Sequence, residues 1–226
     1  EWINTLEILN ETERRDSLIL KTWLNTRLTR RSQSRLRRVY PDTIDKNANW
    51  ARLDNFLWQG RTRSAQKMYS LVNKDQILLA QARLRLRHMM GGVDAAIERV
   101  PLHLRDNQGL VYERLRWRNR KGMDKKAREL LVKVQRNQTF PNLRWRERSR
   151  QIRSALGPGE YNEAYKLALG HIQTNHYTKT EADWTAGWIA LRYADKPIEA
   201  AKYFTIMYKS VCLLYTSPSP RDQRGS

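Results

Sequence analysis

Apolar residues along this chain recur at helical spacing, and no segment shows the sustained alternation of a half-buried strand. The pattern predicts helices at residues 12–38 (as one helix or two), 46–59, 62–73, 75–89, 92–99, 107–120, 124–136, 142–156, 160–174, 180–194 and 197–210. Asp45 and Pro197 mark two helix starts, as an N-cap and a first-turn proline. The connections are short, as between antiparallel helical neighbours, so we predict an all-α fold.

A repeated pair of small residues divides these helices into hairpins. Glycine, or aspartate in the last copy, is followed five residues later by alanine at Gly60/Ala65, Gly91/Ala96, Gly122/Ala127, Gly159/Ala164 and Asp195/Ala200. Glycine accepts the left-handed backbone that ends a helix, and alanine lets the next helix pack closely. The alanines lie 31, 31, 37 and 36 residues apart, a period typical of stacked helix pairs. We therefore predict one right-handed α-superhelix, an α-solenoid of helical hairpins, over residues 1–211.

The composition indicates a folded domain with an anionic partner. Hydrophobic residues make up 40% of the 226 residues, including eight Trp and ten Tyr, which is ample for a core. Lysine and arginine outnumber the acidic residues 43 to 23, giving a net charge of +20. That surplus favours nucleic acid, a membrane surface or a polyanionic wall polymer, or it belongs to a solvated basic surface. No run reaches the about 18 apolar residues of a membrane-spanning helix, so we predict no membrane span.

The C-terminal residues 212–226, CLLYTSPSPRDQRGS, break the helical pattern. Their prolines and serines neither continue a helix nor build a hairpin. The stretch is either a disordered terminus or a non-native adapter read-through, which it resembles. In the second case the natural protein continues past Val211, and the body has no cysteine because Cys212 is the only one. The start at Glu1, in mid-helix and without an initiator Met, is likewise expected to be a truncation.

Residue types that carry catalysis or bind metals show no convincing arrangement. The histidines are scattered, and His171 and His176 are five residues apart, on different helical faces. The facing acids of a glycosidase could come from four carboxylates, Glu160, Glu163, Glu181 and Asp183. All four fall near predicted helix starts, where negative charge favours the helix dipole, so capping is the better interpretation. We therefore predict no catalytic residue, no cofactor and no metal site in this chain.

Two arginine clusters are the candidates for binding an anion. The first comprises Arg27, Arg30, Arg31, Arg35, Arg37 and Arg38, and the second Arg144, Arg146, Arg148, Arg150 and Arg153. Trp145 interleaves the second cluster with an aromatic ring. Arginine binds phosphate bidentately, which favours an anion-binding surface. The alternative is a solvated helix face whose long stems cover apolar surface, and the sequence leaves both open.

Three segments carry a recognisable pattern in a fixed order. They read ARLDNFLWQG at 51–60, GLVYERLRW at 109–117 and EADWTAGWIALRY at 181–193, the last followed by Pro197 and by AAKYF at 200–204. Together, over roughly residues 46–211, they resemble the superhelical domain of the soluble lytic murein transglycosylases. Trp184, Gly187 and Trp188 belong to the third segment, and we expect them to serve packing rather than catalysis.

The resemblance implies a function in the cell wall. Members of this family cleave the β-1,4 bond between N-acetylmuramic acid and N-acetylglucosamine in peptidoglycan and leave 1,6-anhydro ends. Their single catalytic Glu lies in a lysozyme-like domain that follows the superhelix, and we expect that domain to be missing here. The chain is then inactive alone and engages peptidoglycan glycan strands for a catalytic domain in cis, in the periplasm.

Two other functions stay open. A basic helical-repeat protein could bind nucleic acid, and the two arginine clusters favour that alternative. A helical-repeat scaffold could instead bind another protein, which the repeat alone supports. Because the three segments match in order, peptidoglycan is the expected partner and nucleic acid is not.

Overall fold

The computed structural model describes residues 5, 6, 8–134 and 140–215, and these residues contain helices and no strand. The α-helices in these ranges are α1 (Thr12–Asn25), α2 (Arg30–Val39), α3 (Lys46–Gln59), α4 (Thr62–Gln66), α5 (Lys74–Arg87), α6 (Val93–Glu98), α7 (Gln108–Arg120), α8 (Asp124–Val134), α9 (Pro141–Leu156), α10 (Tyr161–Leu169), α11 (His176–Arg192) and α12 (Pro197–Tyr215). Two short 3-10 helices lie at Tyr69–Leu71 and Leu102–Leu104. The prediction of an all-α fold is confirmed.

The chain divides into two compact units, Glu1–Leu110 and Val111–Ser226. In the first unit α1 packs against α3, α3 against α4 and α5, and α5 against α6. Its core contains Ile19, Trp23, Leu53, Leu57 and Met68, each at most 1% exposed. The indole Nε1 of Trp23 donates to the Ala48 carbonyl at 3.2 Å, so the largest core residue also satisfies its polar atom.

The second unit is a run of helices that pack on their neighbours in sequence. α9 packs against α8, α10 and α11, α10 packs against α11, and α11 packs against α12. Its core is rich in small residues, with Ala127, Ala155, Ala164, Ala186 and Ala190 all completely buried. Small side chains let helix axes approach closely, which is why these short helices form a continuous core.

The predicted hairpin turns occur at four of the five repeat copies. The residues Gly60, Gly122, Gly159 and Asp195 have φ angles of 74°, 68°, 84° and 50°. After each of the three glycines the chain closes the helix with a bond to the carbonyl five residues back, as in Arg61 N to Phe56 O at 2.9 Å. The alanines that follow, Ala65, Ala127, Ala164 and Ala200, are at most 1% exposed.

The second copy, Gly91/Ala96, departs from the prediction. α5 already ends at Arg87, and Met89 takes the left-handed conformation with φ 56°. The next left-handed residue is Gly92, which directly precedes α6, and Ala96 is only half-buried. The connection is longer here, and the Arg85 side chain crosses it and donates to the Gly91 carbonyl at 2.5 Å.

Local capping explains where the other helices begin and end. Asp45 accepts from the Ala48 amide at 2.7 Å and α12 begins at Pro197, so both predicted starts are confirmed. α10 ends at Leu169, earlier than predicted, because Gly170 follows it. Asn175 then accepts from the amides of residues 177 and 178, which starts α11 at His176 rather than at residue 180.

The predicted break at Cys212 lies too early. α12 continues to Tyr215 and includes Cys212. Residues 216–226, which contain both prolines of the predicted tail, lie outside the described residues. Over the described ranges, no helix combines the length and the apolar character that crossing a bilayer requires.

Gly187 is the point of closest approach between α11 and α12. A Cβ atom at this position would lie 2.9 Å from Cε1 of Phe204 and 3.1 Å from Cβ of Tyr203. Both distances are shorter than a normal carbon–carbon contact, and the Tyr203 Cβ is fixed by its backbone. The packing role that we predicted for Gly187 is therefore confirmed.

We expect Gly187→Ala to lower the free energy of unfolding by about 1–3 kcal/mol, because overpacking outweighs the better helix propensity of alanine. Gly157→Ala is the matched control, since Gly157 has a right-handed backbone and no neighbour of its Cβ within 3.9 Å. The control should be neutral or more stable by about 0.4–1 kcal/mol. Urea denaturation measures both changes, and equal stabilities of the two variants would contradict the close helix contact.

Candidate anion-binding site

The first unit contains a pocket whose lining residues include five cations and no carboxylate. We call it the basic pocket, and its cations are Arg27, Arg52, Arg61, Arg63 and Lys67. Its volume is about 690 Å³. Residues 27–29 before α2 form one side, α3 contributes Arg52 and Phe56, and the turn from α3 into α4 closes the other side.

Arg52 is the buried member of the basic pocket. Its side chain is 1% exposed, and its guanidinium carbon lies 4.5 Å from the ring centre of Trp23 and 4.8 Å from that of Phe56. These aromatic faces stabilise the cation. Nevertheless, its Nε and Nη1 atoms are buried and make no hydrogen bond within the described part of the chain. Burial, and then the charge of Arg61, lower the pKa of Arg52 to about 10.

The rest of the basic pocket combines hydroxyl and apolar groups. Thr62 and Ser64 supply hydroxyls, and Thr62 Oγ1 lies 2.8 Å from Nε2 of His88. Leu28, Phe56 and Met68 line the same space with carbon atoms. A concave site of this size that combines carbon surface with convergent polar groups is typical of pockets for small organic ligands.

The first predicted arginine cluster lies beside this pocket in the chain. Arg27 lines the pocket, and α2 begins at Arg30, directly after Thr29 of the pocket wall. α2 buries none of its residues, and four of its arginines are exposed: Arg30, Arg31, Arg35 and Arg38. Within residues 5–6, 8–134 and 140–215 no carboxylate pairs with these four. These four arginines therefore form a free basic face. Such a face is consistent both with an anion-binding surface and with a solvated helix face.

The second predicted arginine cluster is not one surface. Arg144 and Arg148 are each 6% exposed and flank Trp145, which is 3% exposed, whereas Arg146, Arg150 and Arg153 are exposed. Arg148 donates to the Leu167 carbonyl at 2.7 Å, and burial lowers its pKa to about 10. Neither a nucleic-acid face nor a solvated helix face fits this arrangement. The spacing of four residues between Arg144 and Arg148 was the signal that both point the same way.

The interpretation of the four carboxylates as helix-start residues is wrong for two of them. Glu163 does lie in the first turn of α10, and Glu160 is the N-cap residue of that helix. The Glu160 side chain makes no capping hydrogen bond and accepts from Arg128 at 2.5 Å. Glu181 and Asp183 lie inside α11, because Asn175 starts that helix earlier than the sequence pattern indicated.

Asp183 is buried and links the α10–α11 connection to α11 through His171. It is 5% exposed, its Oδ1 lies 3.1 Å from Nε2 of His171, and its Oδ2 accepts from Lys179 Nζ at 2.6 Å. The Gln173 amide donates to the other ring nitrogen of His171 at 3.4 Å, which fits a neutral imidazole that carries its proton on Nε2. Burial lowers the pKa of His171 more than Asp183 raises it. This arrangement is structural.

A hydrogen-bonded network centred on Gln151 joins α7, α8 and α9. Gln151 is completely buried, and its Nε2 donates to Asn119 and Asp124, at 2.8 Å in each case. Its Oε1 accepts from Arg128 at 3.1 Å, and Ser154 donates to Asp124 at 2.6 Å. The Ser154 and Gln151 bonds lower the pKa of Asp124. Since these partners satisfy one another, the network holds helices together; no set of three metal-ligating groups occurs among the residues described.

Two of the three segments with the transglycosylase-like pattern meet at Arg83. Arg83 is 1% exposed, pairs with Asp54 and lies over the ring of Trp58 at 5.3 Å, and both partners belong to the first segment. Gly109 begins the second segment, and a side chain there would collide with the Arg83 guanidinium. We call this group the Arg83 cluster.

The third segment presents an aromatic row. Trp184 and Trp188 stack at 5.8 Å, Trp188 meets Tyr193 edge to face at 5.1 Å, and Tyr193 stacks on Tyr161 at 4.7 Å. Trp188 packs against the core, as predicted. Trp184 is 47% exposed, so only about half of its surface is packed, and the predicted packing role is confirmed for that half alone.

We expect the stability of the protein to fall as the pH drops below about 6.5, because the unfolded chain then binds a proton that the buried His171 resists. His171→Gln removes the titrating group and should flatten the pH dependence of the free energy of unfolding between about pH 5 and 7. His103→Gln, at an exposed position, is the control and should leave it unchanged. An identical pH profile for wild type and His171→Gln would contradict the neutral imidazole.

The chain was compared with known proteins in three ways. No protein-family model matches it, no curated protein matches it, and no solved structure matches it. What the chain does is therefore inferred from its own geometry and from the pattern of its three segments.

Proposed function

We propose that this chain is a peptidoglycan-engaging domain of the type found in soluble lytic transglycosylases, built as a right-handed superhelix of helical hairpins. In the family that it resembles, the domain holds glycan strands and a separate lysozyme-like domain cleaves them. The recurrent left-handed turns and the packing of helices on their sequence neighbours within each unit support the superhelical arrangement.

The Arg83 cluster carries the proposal. Asp54, Trp58 and Gly109 come from two separate segments of the resemblance and contact one buried side chain. In the third segment, Gly187 makes the closest contact between α11 and α12. Residues of all three segments thus make tight contacts between helices, which supports a shared way of folding, while Trp184 of the third segment is 47% exposed.

The charge of the chain suits a wall polymer. Peptidoglycan carries carboxylates on its peptide stems, and the chain has a net charge of +20 with a free basic face on α2. Complementary charge speeds encounter and adds affinity that falls with salt. The same four free arginines also favour a second candidate function, binding to nucleic acid, because exposed arginines bind its phosphates.

We expect the purified chain to sediment with isolated peptidoglycan sacculi at low ionic strength and to be released progressively as salt rises, since screening weakens exposed charge pairs. Arg30→Gln/Arg31→Gln is a matched test against the wild type and should weaken binding by about two- to fivefold for the loss of two exposed charges.

The competing outcomes are distinct. Failure to sediment with sacculi, together with DNA or RNA affinity that falls steeply with salt, would replace this proposal with nucleic-acid binding. Failure to bind either polymer, with one defined protein partner recovered, would favour a protein scaffold.

A further inference from the structure

We infer that the basic pocket of the first unit is a binding site for a multivalent oxyanion, a phosphate or carboxylate group carried on a small organic body. The inference goes beyond the proposed function, because it concerns one concave site and holds whether or not the chain engages peptidoglycan. It stands on the five cations of the pocket, on the buried and unpartnered guanidinium of Arg52, and on the shape of the space.

Arg83, an equally buried arginine of the first unit, shows what Arg52 lacks. Both side chains are 1% exposed. Arg83 has the carboxylate of Asp54 as its partner, and only its Nε and Nη2 atoms make no hydrogen bond among the described residues. Arg52 has aromatic rings beside it and no carboxylate partner among the described residues, although it borders an open pocket. Buried polar groups in folded proteins nearly always have a partner, so an unpartnered one at a pocket wall indicates a ligand.

The other cations of the basic pocket also favour a bound anion. Like charges gathered at one site raise its energy; burial first, and then the charge of Arg61, lower the pKa of Arg52. An anion in the pocket would offset that repulsion. Guanidinium groups bind phosphate and carboxylate through two parallel hydrogen bonds, so either oxyanion fits the chemistry.

The pocket has room for more than a bare oxyanion. About 690 Å³ lies within the range of pockets that hold small organic molecules. Leu28, Phe56 and Met68 offer carbon surface, and the hydroxyls of Thr62 and Ser64 can donate to further oxygens. The ligand class is therefore an organic molecule, or a unit of a polymer, with at least two negative charges near one end.

Calorimetric titration of the full chain tests the site with two simple probes. Inorganic pyrophosphate represents the phosphate source and citrate the carboxylate source, with acetate as the monovalent reference. We expect saturable binding of one pyrophosphate or one citrate per chain and no measurable binding of acetate. Saturation by pyrophosphate alone assigns phosphate, and saturation by citrate alone assigns carboxylate; no saturation by either would overturn the inference.

Two double variants with the same change in charge distinguish binding in the pocket from attraction of the anion to the net positive charge. Arg61→Gln/Lys67→Gln removes two charges from the pocket, and Arg35→Gln/Arg38→Gln removes two from the exposed face of α2. We expect the first to weaken binding about tenfold or more and the second less than about threefold, since only the first removes charge-assisted contacts. Equal losses would show attraction to net charge alone and contradict the site.

Arg52→Lys tests the buried guanidinium directly. Lysine keeps the positive charge and most of the stem but loses the planar fork and the stacking on the rings. We expect this variant to fold with native far-UV circular dichroism and to bind the probe about tenfold more weakly. Unchanged affinity in the folded variant would remove Arg52 from the site. If the variant does not fold, the comparison of the two double variants decides.

Discussion

A buried guanidinium has to be compensated, and the way this protein does so shapes each of its units. Removing a cation from water costs several kcal/mol unless charges or hydrogen bonds replace the solvent. Arg83 is compensated by Asp54 and by the ring of Trp58, and Arg148 by the carbonyl of Leu167. Each of these contacts joins two helices. The arginine-rich composition is thus part of the core as well as of the surface.

Two glycines of the first unit make room for arginine side chains. Gly109 leaves room for the Arg83 guanidinium, and Gly60 lies under that of Arg87, where a Cβ atom would collide. Close packing in the second unit is made by alanines and by Gly187 instead. Long basic side chains cross between helices in both units, and in the second unit small residues also bring helices together.

The sequence predicted those features that are set locally. Helical periodicity, the N-cap Asp45 and the left-handed turns at Gly60, Gly122 and Gly159 depend on neighbouring residues, and all of them are confirmed. The end of α5 at Arg87 was placed two residues too late, because Met89, and not a glycine, takes the left-handed conformation after it. Propensity alone would have placed a glycine there.

The basic pocket and the buried arginines could not be predicted in this way. Arginine is usually found at the surface of a protein. The burial of Arg83 and Arg148 depends on partners far along the chain, Asp54 and Leu167, which the local sequence does not identify. The pocket draws residues 27–29, Arg52 and residues 60–68 from three helices and their connections. Of its five cations, only Arg27 belonged to a predicted cluster.

Nuclear magnetic resonance of arginine Nε–H groups directly observes the buried Arg52, whose Nε and Nη1 make no hydrogen bond among the described residues. The Arg52 signal is assigned by its loss in Arg52→Lys and followed as pyrophosphate is added. We predict a saturable shift of the Arg52 signal at pyrophosphate concentrations that leave Arg35 on the exposed face of α2 unchanged. A shift of Arg35 with a constant Arg52 signal would contradict an oxyanion site at Arg52.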